Sequence, residues 1–129
     1  MKTGDEERPI TLTTRELIAA IFLFSKRKTF REAELVDRVR ALRALYPGTR
    51  EFSEASVLKH LRMFVIAQVL RYTDASDVFT YDRRNDEYLR RILAIFNAIP
   101  NLESRLCEIV SNMAQKPAIR QPLTTEART

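Results

Sequence analysis

Ser56, Lys59, His60 and Arg62 fall in one short stretch, at spacings that bring them to one side of a helix. Hydroxyl, ammonium, imidazole and guanidinium groups held together in this way reach phosphate oxygens and the base edges of a duplex. Covalent chemistry has much less to work with. His60 is the chain's single histidine and has no nucleophile or acid spaced to form a catalytic set with it. Cys107 is the single cysteine, so neither an internal disulfide nor a zinc ligand set can be assembled. It reads as a small packing residue beside Leu106. Glycine occurs only at positions 4 and 48, which excludes a glycine-rich phosphate loop. The expectation is a protein that is not an enzyme and that uses no cofactor and no metal.

The element that must position these donors begins at Ser53, whose oxygen suits a helix N-cap, with Glu54 in the first turn where the helix dipole favours an acid. Val57, Leu58, Leu61, Phe64 and Val65 recur at intervals of three and four and supply an apolar face, predicting a helix over 53–66. The chain then becomes β-branched and aromatic at Val69-Leu70-Arg71-Tyr72-Thr73, pauses at Asp74-Ala75-Ser76-Asp77 and resumes at Val78-Phe79-Thr80-Tyr81. A helix feeding a hairpin is expected.

Ser53, Ser56, Val57, Lys59, His60, Leu61, Arg62 and Phe64, followed by Val69, Leu70, Arg71 and Tyr72, resemble the recognition helix and first wing strand of the winged-helix superfamily of DNA-binding domains. Where that pattern often carries Ala-Gly before the wing, this chain has Ala67-Gln68. The resemblance implies double-stranded DNA as partner. Ser53, Ser56, Lys59, His60 and Arg62 would contact it from the helix, and Arg71, Arg83 and Arg84 from the base of the wing. Asp74 and Asp77 at the wing tip would repel a phosphate backbone, which moves the expected contact toward those basal arginines.

The whole chain is consistent with such a partner. Its 129 residues carry a formal charge of +5. Between positions 12 and 84 lie 14 basic and 9 acidic residues, against 8 of each elsewhere, so the whole excess sits in the expected reading domain. The longest apolar run, residues 17–24, is far short of the roughly 20 residues a bilayer span needs. Asp5-Glu6-Glu7 replaces the apolar core of a signal peptide, and a cytoplasmic location is expected.

Residues 1–11 read as a flexible lead-in and 12–84 as the winged-helix domain. Within it, a first helix runs from Thr13 or Thr14 to about Lys28, and Thr29-Phe30 forms an extended link of the kind that adds a strand to a wing sheet. A second helix runs from Arg31 or Glu32 to Ala44, with Leu35, Val36, Val39, Leu42 and, just past its end, Leu45 inward and Arg38, Arg40 and Arg43 outward. Tyr46-Pro47-Gly48 breaks it, and 49–52 turns into the third helix.

Beyond the wing, a fourth helix is expected from Asn85 or Asp86 to Ile99 and a fifth, capped by Asn101, to about Gln115. Residues 116–129 read as an unstructured tail. The extension over 85–115 is apolar enough to need cover on two sides. Its Leu89, Ile92, Leu93, Phe96, Leu102, Leu106, Ile109 and Val110 are expected to pair two copies, the alternative being that the helices fold back on their own domain. The fold class is thus mainly α with a small β-hairpin, a winged helix-turn-helix plus two C-terminal helices. The function implied is a homodimeric DNA-binding transcription regulator. The alternative is a winged-helix module that binds protein and not DNA.

Overall fold

A computed structural model of the chain describes residues 11–46 and 52–115. The expectations for residues 1–10, for the break and turn at 47–51 and for the tail at 116–129 lie outside the described residues.

Thr13 opens helix α1 (Thr14–Phe24) with a complete capping box: its hydroxyl accepts the Glu16 N–H at 3.1 Å, and the Glu16 carboxylate accepts the Thr13 N–H at 2.8 Å. Leu17, Ile18, Ala19, Ala20, Ile21 and Phe22 are all buried, so α1 is apolar around its whole circumference and forms the centre of the molecule. It ends at Phe24, short of the expected Lys28. Lys28 instead reaches back and donates to the Phe22 and Leu23 carbonyls at 2.9 and 3.3 Å, satisfying acceptors that a helix end leaves open.

The extended link is a strand. β1 (Thr29–Arg31), β2 (Leu70–Thr73) and β3 (Val78–Tyr81) form an antiparallel sheet in the order β1-β3-β2, with Phe30 opposite Phe79 and Tyr72 opposite Phe79 from the other side. Phe30 is 1% exposed and meets the edge of Phe22 at 5.6 Å.

Helix α2 (Glu32–Leu45) buries Leu35, Val36, Val39 and Leu42 as its periodicity requires, but Leu45, expected inward, is 57% exposed at the last turn, and two arginines correct the expected outward face. Arg38 is buried, its guanidinium 5.1 Å from the centre of the Phe30 ring. Arg43 turns back to the start of α1 and donates to the Leu12 carbonyl and, at 2.9 Å, to the Thr14 hydroxyl. Only Arg40 stays outward, pairing with Asp37 at 3.0 Å and reaching Glu54 of the next helix at 3.7 Å.

Helix α3 (Glu54–Ile66) and the hairpin follow as expected. The extension does not. In place of one helix to Ile99, a 3₁₀ turn (Arg83–Asn85) leads into a short α4 (Asp86–Ile92), and a second 3₁₀ turn (Ala94–Asn97) comes before α5 (Leu102–Gln115). The change of pitch after Ile92 goes with Leu93 in the core and Phe96 stacked on Phe24, ring centres 5.9 Å apart. Asn101 precedes α5 in the left-handed region, φ 71°, a conformation asparagine tolerates, and its carbonyl accepts the Arg105 N–H.

The expected dimer face is corrected for the same reason. Leu89, Leu93, Leu102, Leu106 and Val110 are at most 1% exposed, inside the same core as α1, and Ile92, Phe96 and Ile109 pack half-buried against it. A helix apolar all round needs cover on every side, and α4 and α5 provide what α2, α3 and the sheet leave open. The extension therefore folds back, and 12–84 and 85–115 share one core. Among the described residues no helix is long and apolar enough to cross a membrane.

Candidate nucleic-acid interface

Ser53 is engaged in folding: its Oγ accepts the Ser56 N–H at 3.3 Å and caps α3. With Val57, Leu61 and Phe64 buried, the opposite side of α3 presents Ala55, Lys59, Arg62, Met63 and Ile66 to solvent. Lys59 and Arg62 make no hydrogen bond or ion pair with any described residue. Beside them stand two apolar side chains, Met63 at 50% and Ile66 at 80% exposure. Ser56 and His60 lie at the edge of this face and are half-buried. His60 lines a small cleft with Arg15, Met63, Phe64, Ala67 and Tyr88. Burial, then the charges of Lys59 and Arg15, disfavour its imidazolium and hold its pKa below the usual histidine range.

The exit from α3 explains how the chain manages without the glycine that the winged-helix pattern often has. Gln68 takes φ 66°, its N–H donates to the Val65 carbonyl at 3.0 Å, and the Val69 N–H donates to the Phe64 carbonyl at 2.9 Å. This pair of bonds is a Schellman motif, closed by contact between the buried Phe64 and Val69. The turn is as tight as glycine would make it, with a glutamine in the left-handed position.

That turn delivers β2 beside α3 and opens a groove of about 720 Å³ in which Val65 and Gln68 meet Arg71, Asp82, Arg83 and Arg84. The three basal arginines expected from the sequence are thus brought together, though not as equals. Arg84 is held by Asp82, with Nη2 to Oδ2 at 2.7 Å and Nε to Oδ2 at 3.0 Å, and this pairing keeps the Asp82 carboxyl down at about 2. Arg71 and Arg83 are exposed and carry no such clasp.

At the hairpin tip, Asp77 has three structural tasks. It adopts φ 59° to close the turn, its carbonyl accepts the Glu32 N–H at 3.2 Å at the start of α2, and its carboxylate accepts the Tyr72 hydroxyl at 2.6 Å. That hydrogen bond pushes the Tyr72 phenol up to about 12. One of the two tip acids is therefore accounted for by the hairpin's own geometry.

Sequence reasoning missed Arg15. It meets His60 only because α1 packs on α3, and no local spacing relates the two positions. Among the described residues no cluster of histidine, cysteine and acids could hold a metal ion. Comparison with protein-family models, with curated proteins and with solved structures finds no match to this chain.

Proposed function

We propose that this chain is a winged-helix DNA-binding regulator that lays α3 in the major groove, with Arg71 and Arg83 against the flanking backbone. The observation that carries the reading is the outward face of α3, where Lys59 and Arg62 stand exposed with no acid partner among the described residues. Of the other described arginines, Arg27 pairs with Glu34, Arg40 with Asp37, Arg84 with Asp82, Arg90 with Glu103 and Arg91 with Glu87, while Arg38 and Arg43 are built into the fold. Supporting it are the order of three helices before a hairpin and the added strand β1, the arrangement expected of a winged helix. The reading needs no second copy to cover the extension, and a two-fold pair would have to form through other surfaces.

In a titration of duplex DNA against salt, the double variant Lys59→Ala, Arg62→Ala is expected to weaken binding and to lower the salt slope by about 1 for each phosphate left without its cation. Absence of any binding at low salt by the unaltered chain overturns the reading.

One observation favours a second reading, a module that binds protein. Ile66 and Arg62 border a groove of about 490 Å³ between α3 and the hairpin, lined also by Leu58, Val65, Tyr72 and Phe79 and edged by Glu32 and Asp74. An apolar floor with acids at its rim suits a peptide better than a phosphate backbone. The same titration separates the two, since the second reading expects no salt-dependent duplex binding.

A further inference from the structure

We propose that the cleft between the start of α1 and the side of α3 is a phosphate-binding site, with Arg15 and His60 as its ligands and Lys59 beside them. The site adjoins the outward face of α3, sharing Lys59 and Met63 with it, and it does not depend on the chain binding DNA. Arg15 and His60 line a cavity of about 150 Å³ floored by Met63, Phe64 and Ala67 and bordered by Tyr88 of α4. Lys59, the neighbour of His60 on α3, acts on the same imidazole electrostatically.

The groups facing His60 are one-sided. From α1 comes Arg15 and from α3 Lys59, while Tyr88 of α4 borders the same cleft. The nearest acids by sequence are engaged elsewhere: Glu16 in the capping box of α1, Glu54 of α3 with Arg40 at 3.7 Å, and Glu87 with Arg91 at 3.1 Å. Neither Arg15 nor Lys59 is paired with any described residue. Gathering two fixed cations and a titratable one over an apolar floor is unfavourable while the cleft is empty, and an oxyanion relieves that repulsion. Phosphate suits it because its oxygens accept from guanidinium, imidazolium and phenol at once.

The proton follows the anion. In the free protein the imidazolium is disfavoured by burial and by its cationic neighbours. A bound phosphate reverses the charge effect, so binding takes up a proton and strengthens as pH falls below the ordinary histidine value.

Because His60 is the only histidine, its Hε1 proton is the sole signal of its kind in an untagged sample, and its titration can be followed by NMR without further assignment. The midpoint is expected at higher pH in pyrophosphate than in sodium chloride of equal ionic strength. Arg15→Gln is expected to weaken pyrophosphate about tenfold, while Lys26→Gln, two residues beyond the far end of α1, should leave the effect unchanged. Equal midpoints in the two salts, or an undiminished shift in Arg15→Gln, overturn the proposal. A third titration in duplex DNA identifies the source. If duplex also moves the midpoint, the phosphate is that of a nucleic-acid backbone. If pyrophosphate moves it and duplex does not, the site stands as one for free phosphorylated compounds, and the regulator reading loses this flank of α3.

Discussion

Gln68 is the residue where local chemistry and fold are most at odds. An L-residue in the left-handed region costs roughly 1–2 kcal/mol, and the Schellman bonds and the buried Phe64–Val69 contact offset it. Gln68→Gly is expected to raise stability by about 0.5–1 kcal/mol, read as a higher urea midpoint with unchanged slope. Tyr81 carries a pH signature. It is buried, its hydroxyl donates to the Asp86 carboxylate, and burial first, then that acid, push its phenol well above the ordinary value of 10.0. A group whose folded pKa is raised stabilises fully below its unfolded value and loses that contribution as pH rises beyond it. Stability should therefore fall above about pH 10. Tyr81→Phe is expected to cost about 1–2 kcal/mol at neutral pH and to flatten the alkaline loss, as measured by urea unfolding across pH. Neither role was legible in the sequence. Ala67-Gln68 stood out only as a missing glycine, and the duties of Asp77 in the hairpin looked, from charge alone, like a surface that repels DNA.

Among the elements, α3 and its hairpin were fully legible, because a cap residue, an apolar repeat and two β-branched runs are all local signals. β1 was only half legible. Three residues cannot declare a strand, and its partner β3 lies far along the chain, so the residues of Thr29-Phe30 showed extension alone and only the winged-helix resemblance suggested a sheet for it to join. Yet Phe30 joins three elements: its ring meets Phe22 of α1, lies under Arg38 of α2, and sits in the strand beside the wing. Phe30→Ala is expected to lose about 3–5 kcal/mol, seen as a large drop in the urea midpoint. The break in the extension was not legible at all. Residues from Tyr88 to Ile99 satisfy a continuous helical period, and only packing against Phe24 reveals where the chain changes pitch.

At the scale of the molecule, the apolar surplus of the extension was misjudged. Periodicity shows that the extension must be buried, yet it does not say against what. The partner is α1, whose own sequence already carried the signal, since apolar residues from 17 to 22 leave no side free for water. Burying Leu102, Leu106 and Val110 is worth roughly 1.5–3 kcal/mol each, which together approaches the whole stability of an ordinary domain. A chain ending before Leu102 is therefore expected to show no cooperative urea transition, even with the 12–84 segment intact.

The order of synthesis gives this arrangement a further consequence. Among the described elements the central helix α1 leaves the ribosome before every part that covers it, and the covering helix α5 follows all the others. Until that layer arrives, a fully apolar helix has an open side, so translation itself sets a window in which the nascent chain depends on chaperone cover.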